Sequence, residues 1–216
     1  MNSISFIENL GEQLQRPLPG KTAQYRMATK SRLPYQERPV PDNVRLASVI
    51  CLLFPMNDQL YFPLIQRAEM EGDKHSGQIS FPGGKVEPDD ESTEAAAVRE
   101  AEEEIGVNHA AIRLLGGLTP LYVPASNFEI YPYVGYVSHT PLFTPQLSEV
   151  ADIIQVPLDD LLTPARLKKK DLQFSSQFTL KEVPYFDLEN KVVWGATGMI
   201  LSELVSVIHQ VNRVTI

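Results

Sequence analysis

The sequence predicts an α/β fold in which a mixed β-sheet lies between helices. Apolar, β-branched segments of strand length recur along the chain, and the longest apolar run lies within Arg45–Phe54. One acidic helix, from about Ser92 to Ile105, interrupts these strands. An amphipathic helix from Ala196 to about Val211 follows them and has one apolar stripe for a core.

The first 44 residues are predicted to form an extension that packs on a domain spanning residues 45–216. Apolar residues at near-helical spacing in residues 4–15 predict a short amphipathic helix. Residues 16–44 contain five prolines and little periodicity. We therefore expect an extended segment there, ordered by its contacts with the domain.

Further strands are expected wherever apolar or alternating segments lie between turn residues. They are predicted at Leu60–Arg67, Ala111–Leu118, Phe128–Val137 and Val150–Val156, and as a late hairpin of Phe174–Leu180 with Val183–Asp187 that turns at Lys181-Glu182. Pro63 within the second strand implies an edge or a bulge. Loops are expected at Glu69–Ser76, Thr119–Asn127 and Pro141–Ser148, and a helical turn at Pro157–Leu162.

The composition limits what the protein can be. A chain of 216 residues that is 43% hydrophobic can build one substantial globular core. A net charge of −8 argues against a general nucleic-acid binder, which needs a basic surface. The single cysteine, Cys51, allows no disulfide within the chain and fits a reducing cytoplasm. Because neither a signal-peptide pattern nor a membrane-length apolar run is present, we expect a cytoplasmic protein that does not bind membranes.

The acidic helix carries negative charge at the wrong end. Glu100, Glu102, Glu103 and Glu104 crowd its last turns, where the helix dipole favours cations. At about 100° per residue, Glu100, Glu103 and Glu104 share one face and Glu102 points away. One arginine, Arg99, cannot balance three clustered carboxylates, whereas Mg²⁺ or Mn²⁺ can. The alternative is a solvated acidic face, and the glycine turn that precedes the helix favours the metal site.

Residues Arg99–Val107 read REAEEEIGV and resemble the end of the Nudix box, G-x5-E-x7-R-E-U-x-E-E-x-G-U, in which U is apolar. Upstream the pattern is one residue longer, so that either Asp90 or Glu91 fills its acidic position. The resemblance implies an α/β/α sandwich and hydrolysis of a nucleoside diphosphate linked to another group. It implies Mg²⁺ or Mn²⁺ held by Glu100, Glu103, Glu104 and a carbonyl of the Gly83-Gly84 turn, with Arg99 orienting the glutamates and the general base among Glu100, Glu103 and Glu149.

The segments around the box resemble the coenzyme A pyrophosphatase branch of that family. Its upstream signature, LLTxR[SA]-x3-R-x3-G-x3-FPGG, is matched by Arg67, by Gly77 and by FPGG from Phe81. The position of the second arginine holds Asp73, and the neighbouring Lys74 is a candidate replacement. The residues that the resemblance implies for substrate binding are Arg67, Lys74, Gly77, Gln78, Phe81, Gly84 and Phe128. The implied reaction converts coenzyme A and water into 3′,5′-ADP and 4′-phosphopantetheine.

Two other functions compete with this one. Within the same family, the substrate could be ADP-ribose, NADH or a dinucleoside polyphosphate, and the missing arginine keeps that reading open. Outside catalysis, the fold could serve as a ligand-binding module, although the box carboxylates are present. In each case the partner is a small molecule, and a homodimer is compatible with the sequence. The basic run at Arg166–Lys170 is interpreted as a solvated face, and Trp194 as a core residue.

Overall fold

The computed structural model describes residues 3–36, 38–69, 76–174 and 179–214. Its helices are α1 (Ser3–Leu14), α2 (Gly20–Gln24), α3 (Thr93–Ile105), α4 (Leu158–Leu162) and α5 (Gly195–Val214). Its strands are β1 (Arg45–Met56), β2 (Gln59–Arg67), β3 (Ile79–Ser80), β4 (Gly83–Lys85), β5 (Arg113–Gly117), β6 (Leu121–Val123), β7 (Phe128–Tyr136), β8 (Val150–Pro157), β9 (Leu167–Gln173), β10 (Thr179–Leu188) and β11 (Lys191–Val193).

Within these residues, eight strands form one mixed sheet around β1. β1 runs parallel to β7, from the pair Arg45 and Phe128 to the pair Leu53 and Tyr136. β2 and β4 lie antiparallel on its other side, one at each end of the strand. β3 and β8 pair with β2, and β5 and β6 pair with β7. The remaining strands form a separate antiparallel sheet in the order β11, β10, β9.

The side chains of β1 alternate between two cores, because successive residues of a strand face opposite sides of a sheet. Ile50, Leu52 and Phe54 pack in one core with the apolar residues of α3. Cys51 and Leu53 pack in the other with residues of α1 and α5. The sheet therefore lies between α3 and the terminal helices, and the predicted α/β fold with a mixed sheet between helices is confirmed. No helix in the described ranges is both long and apolar enough to cross a membrane.

The N-terminal segment is attached to the domain through a buried carboxylate on α5. Glu203 is 0% exposed and accepts hydrogen bonds from Gly20 N (2.9 Å), Gln24 Nε2 (2.8 Å) and Thr119 Oγ1 (2.6 Å). The expected extended conformation of residues 16–44 is wrong in part, because α2 and two 3₁₀ turns, at Tyr25–Met27 and Leu33–Tyr35, form there. The boundary at residue 44 stays a prediction.

The late hairpin is also corrected, with residues 175–178 of its predicted first strand lying outside the described residues. β10 continues through Lys181 and Glu182, where a register shift against β9 and a positive φ of 50° at Glu182 mark a β-bulge. The strand that pairs with it is β9, which contains Leu167–Lys170 of the basic run interpreted from sequence as a solvated face. Polar residues with left-handed backbone occur in bulges as well as in turns, and only the pairing distinguishes the two.

Candidate active site

The acidic helix α3 has both of its predicted ends. Ser92 caps its start, since the Ser92 hydroxyl accepts a hydrogen bond from Ala95 N at 3.1 Å. Gly106 ends it in the left-handed conformation, with a φ of 73°. The apolar face of the helix, with Ala97, Ala101 and Ile105, packs on the sheet. This packing fixes the rotation of α3 and turns the carboxylates of the next face toward β4.

The glycine turn lies directly against these carboxylates. Gly83 N donates a hydrogen bond of 2.7 Å to Glu104 Oε2. A Cβ on Gly84 would lie within 2.6 Å of the carboxylate carbon and both oxygens of Glu100. Gly83, with a φ of +148°, leaves no room either, because a Cβ there would meet the backbone of Ser48 and Val49. The missing side chain of Gly84 therefore lets the backbone of β4 approach Glu100 closely, and that of Gly83 lets the same backbone lie against β1.

Burial makes these two carboxylates hard to ionise. Glu104 is 2% exposed, and its pKa is raised to about 8, mainly by desolvation and also by the charges of Glu100 and Glu149. The hydrogen bond from Gly83 and the charge of Arg67 oppose that increase. Desolvation likewise raises the pKa of Glu100, and Arg99 opposes it. The site thus concentrates carboxylates where water cannot stabilise their charge.

Arg99 forms hydrogen bonds with three acidic side chains at once. Its guanidinium contacts Asp90 in a bidentate manner, with distances of 2.8 Å to Oδ1 and 3.0 Å to Oδ2. It also donates to Glu100 Oε1 at 3.0 Å, to Glu103 Oε2 at 2.9 Å and to the carbonyl of Lys85 at 3.2 Å. The hydrogen bond with Asp90 is the main reason that the pKa of Arg99 is raised. Arg99 thus contacts both of the glutamates, Glu100 and Glu103, that an orienting partner would have to hold.

The acidic position that the sequence left open is taken by Asp90. Its side chain is 6% exposed and its two oxygens face Arg99, which lowers the pKa of this carboxyl group. Glu91 is exposed to solvent. The extra residue of the loop therefore lies between Asp90 and Arg99, because Asp90 is the acidic residue that contacts Arg99.

We expect Asp90→Asn to lower kcat about tenfold, a loss of the size seen when a group that orients metal ligands is removed. The amide cannot hold Arg99 by two charge-assisted hydrogen bonds, so Arg99 and the two glutamates it contacts become less ordered. The matched variant Glu91→Gln should keep wild-type turnover. Steady-state kinetics of both variants with one diphosphate substrate would check this, and an equal loss in both would contradict the assignment of Asp90.

The donor set of the site fits a divalent metal ion. Carboxylate oxygens are the preferred ligands of Mg²⁺ and Mn²⁺, and each carboxylate keeps lone pairs beyond those used by Arg99 and Gly83. In the described part of the chain no three acidic, histidine or cysteine side chains are gathered closely enough to form a finished ligand set. Glu100 and Glu104 are the best-placed ligands because both are turned inward, whereas the side chain of Glu103 is 56% exposed.

The residues expected to bind substrate lie in different surroundings. Arg67, at the end of β2, lies near the carboxylates, since its charge lowers the pKa of Glu104, and its backbone N donates to the carbonyl of Gln78 at 3.0 Å. Gly77 comes directly before Gln78. Phe81 is 2% exposed and packs in the core on the side of α5. The guanidinium of Arg45 covers the ring of Phe128 at 4.1 Å. Lys74 lies outside the described residues.

Several contacts of the site could not be found by sequence reasoning. The carbonyl of Lys85, which binds Arg99, carries no side-chain signal at all. The loop before β8 supplies backbone donors to the end of α3, from Thr144 and Gln146. That loop leads to Glu149, whose exposed side chain comes directly before β8. Trp194, interpreted as a core residue, is only half-buried, and its ring lies 5.6 Å from that of Phe174.

Comparison with known proteins points to one family. A family profile described as the NUDIX domain matches residues 44–178. A Yersinia pestis (strain Pestoides F) protein named "Uncharacterized Nudix hydrolase NudL" is 33% identical over 175 residues, which cover 77% of this chain and 86% of that protein. The crystal structure of a Nudix hydrolase from M. smegmatis, RenU, has a TM-score of 0.54 at 17% identity and covers 77% of this chain and 86% of its own. A MutT/nudix family protein from Enterococcus faecalis has a TM-score of 0.50 at 19% identity, over 89% of this chain and 73% of its own.

The structural likeness establishes the fold, and the family profile and the relative establish the family. The profile covers the site as well, since it includes the glycine turn, α3 and Glu149. The chain belongs to the Nudix hydrolase family.

Proposed function

We propose that this Nudix hydrolase cleaves the diphosphate linkage of coenzyme A or an acyl-coenzyme A. The products would be 3′,5′-ADP and 4′-phosphopantetheine or its acyl derivative. The observation that carries diphosphate hydrolysis is the pair of inward-facing carboxylates, Glu100 and Glu104, against the Gly83-Gly84 turn. Buried carboxylates without a matching number of cationic side chains suit a site where a metal ion and a polyanionic substrate meet.

The residues of the chain have distinct roles in this proposal. Glu100, Glu103 and Glu104, with a carbonyl of the glycine turn, hold Mg²⁺ or Mn²⁺. When bound, the metal neutralises charge on the diphosphate and makes water a better nucleophile. Arg99 keeps Glu100 and Glu103 in place through the contacts described above. A carboxylate takes the proton of the attacking water, and the candidates are Glu100, Glu103 and Glu149.

The choice of coenzyme A rests on the segments around the box. Arg67, Gly77 and FPGG match the signature of the coenzyme A pyrophosphatase branch. Arg67 and Gln78 adjoin at the ends of β2 and β3, on the side of Glu104, where a guanidinium could contact a phosphate of the substrate. The departure at Asp73 favours a second candidate, an enzyme that hydrolyses ADP-ribose, NADH or a dinucleoside polyphosphate.

A substrate panel tests the proposal. The full-length protein is incubated with Mg²⁺ or Mn²⁺ and with coenzyme A, acetyl-coenzyme A, ADP-ribose, NADH or diadenosine tetraphosphate, and the products are separated by chromatography. We expect 3′,5′-ADP to be released from coenzyme A or its thioester with the highest kcat/KM of the panel. Turnover restricted to ADP-ribose, NADH or the dinucleotide would replace the first candidate with the second.

A further inference from the structure

The loop before β8 closes the C-terminal end of the catalytic helix. The last carbonyls of a helix have no partner within it and need donors from elsewhere. Gln146 N donates to the carbonyl of Glu104 at 3.0 Å, and Thr144 N donates to the carbonyl of Ile105 at 3.0 Å. One of these carbonyls belongs to a proposed metal ligand, so the loop is bonded to the backbone of the site itself.

Gly106 is the residue that lets the loop come this close. A Cβ at Gly106 would lie 2.9 Å from Thr144 Cβ and 3.2 Å from both the N and the O of Thr144. Two of those three atoms belong to the backbone and cannot move aside as the end of a flexible side chain can. The glycine is therefore needed for its left-handed conformation and also for its missing side chain.

The loop is held from its other side by β1. Phe143 packs edge-on against Phe54, with ring centroids 5.2 Å apart and an interplanar angle of 71°. Thr140 Oγ1 donates a hydrogen bond of 2.6 Å to the carbonyl of Pro55. These two contacts fix the start of the loop on the sheet before it reaches α3.

The same loop delivers Glu149. The carbonyl of Gln146 accepts hydrogen bonds from Glu149 N at 2.9 Å and from Val150 N at 2.8 Å, which closes a tight turn. The carbonyl of Glu149 accepts a bond of 2.8 Å from Ala68 N, next to Arg67. A short chain of backbone hydrogen bonds thus links Glu104 through Gln146 to Glu149. The backbone of Glu149 therefore lies one hydrogen-bonded turn from that of Glu104 and is bonded to the chain directly after Arg67.

We propose that residues 140–149 form a clasp that positions Glu149 beside Glu100 and Glu104, and that Gly106, Thr144 and Gln146 are positioning residues for the reaction. This inference rests on the proposed function, because it assigns Glu149 to the metal and substrate site. The clasp makes the end of α3 and the loop one unit. A disturbance at Gly106 then reaches the chemistry through Glu149.

The test is a double-mutant cycle combined with amide hydrogen exchange. In the wild type the amides of Thr144 and Gln146 should be protected, and in Gly106→Ala they should exchange at least about tenfold faster. Gly106→Ala should lower kcat about tenfold in the wild-type background, since small misplacements of catalytic groups are costly, and less than about twofold in a Glu149→Gln background. Equal losses in both backgrounds would overturn the proposal, as would fast exchange of the two amides in the wild type.

Gly195→Ala is the matched control. Gly195 has a similar φ of +64°, and a Cβ there would meet nothing within 4 Å, so this variant carries the backbone strain alone. It should leave kcat and both amides unchanged. If Gly106→Ala does not fold, Phe143→Ala takes its place in the cycle, with Leu142→Ala as its control because Leu142 is 89% exposed.

Failure of the proposed function gives a different result. A wild-type protein that cleaves no diphosphate would overturn the function, whereas the exchange of the two amides does not depend on turnover. The cycle is then measured with the dissociation constant of Mn²⁺ alone. A weaker constant in Gly106→Ala that is absent in the Glu149→Gln background supports the clasp, and no change in either background overturns it.

Discussion

Replacing Glu104 with glutamine is expected to lower kcat by at least about 100-fold without unfolding the protein. The change removes the charge of an inward-facing carboxylate that we propose as a metal ligand, and losses of this size follow the removal of one electrostatic group at a reacting centre. The fold should survive because the amide oxygen can still accept the hydrogen bond from Gly83 N. Steady-state kinetics and thermal unfolding of the same preparation would check both statements.

Glu102→Gln is the matched control for Glu104→Gln. Glu102 lies on the same helix but points away from the site, and its carboxylate contacts His109 Nδ1 at 2.7 Å on the surface. Its loss should leave kcat within about twofold of the wild type, because Glu102 points away from the site. The fold should also survive, because exposed ion pairs contribute little to stability. Full turnover in Glu104→Gln would contradict the assignment of Glu104 as a metal ligand.

Gly84→Ala is expected to produce the second-largest loss, about 10- to 100-fold in kcat, with little change in stability. The new Cβ would overlap the carboxylate of Glu100, which is the end of a flexible side chain and can move aside. The protein therefore folds, but Glu100 leaves its position between Arg99 and the turn, and displacements of about 1 Å can cost about 100-fold in rate. Kinetics and thermal unfolding of the variant would measure the two effects separately.

Gly83→Ala, in contrast, should mainly lower the stability of the protein. There the Cβ would meet the backbone of Ser48 and Val49, including Val49 Cα at 2.6 Å, and backbone atoms cannot move aside cheaply. Its φ of +148° adds strain for any residue with a side chain. We expect a clear fall in melting temperature in Gly83→Ala and a small one in Gly84→Ala. Equal destabilisation of the two variants would contradict the described packing of the turn.

The catalytic helix was predictable because its determinants are local. A serine cap, a left-handed glycine and a stripe of alanines specify both ends of α3 and its rotation on the sheet. The strand β1 was predictable from its apolar run. Given these two elements, the facial clustering of Glu100, Glu103 and Glu104 follows from helical geometry alone.

The parts that sequence could not supply depend on distant contacts. Spacing alone could not choose between Asp90 and Glu91, and the choice is made by a contact with Arg99, nine residues farther along the chain. β6 occupies three residues of a segment predicted to be a loop, and it exists because it pairs with β7. Nothing in the sequence of residues 140–149 signals that its backbone would bond to Glu104 and Ile105.

The measurement that tests the central claim most directly is Mn²⁺ binding followed by electron paramagnetic resonance. Wild type, Glu104→Gln and Glu102→Gln are titrated with Mn²⁺ under identical conditions, without substrate. If Glu100, Glu103 and Glu104 hold the catalytic metal, the wild type and Glu102→Gln should bind the ion with the same dissociation constant, and Glu104→Gln should bind it at least about tenfold more weakly. Equal Mn²⁺ binding by all three proteins would contradict a metal centre on this face of α3.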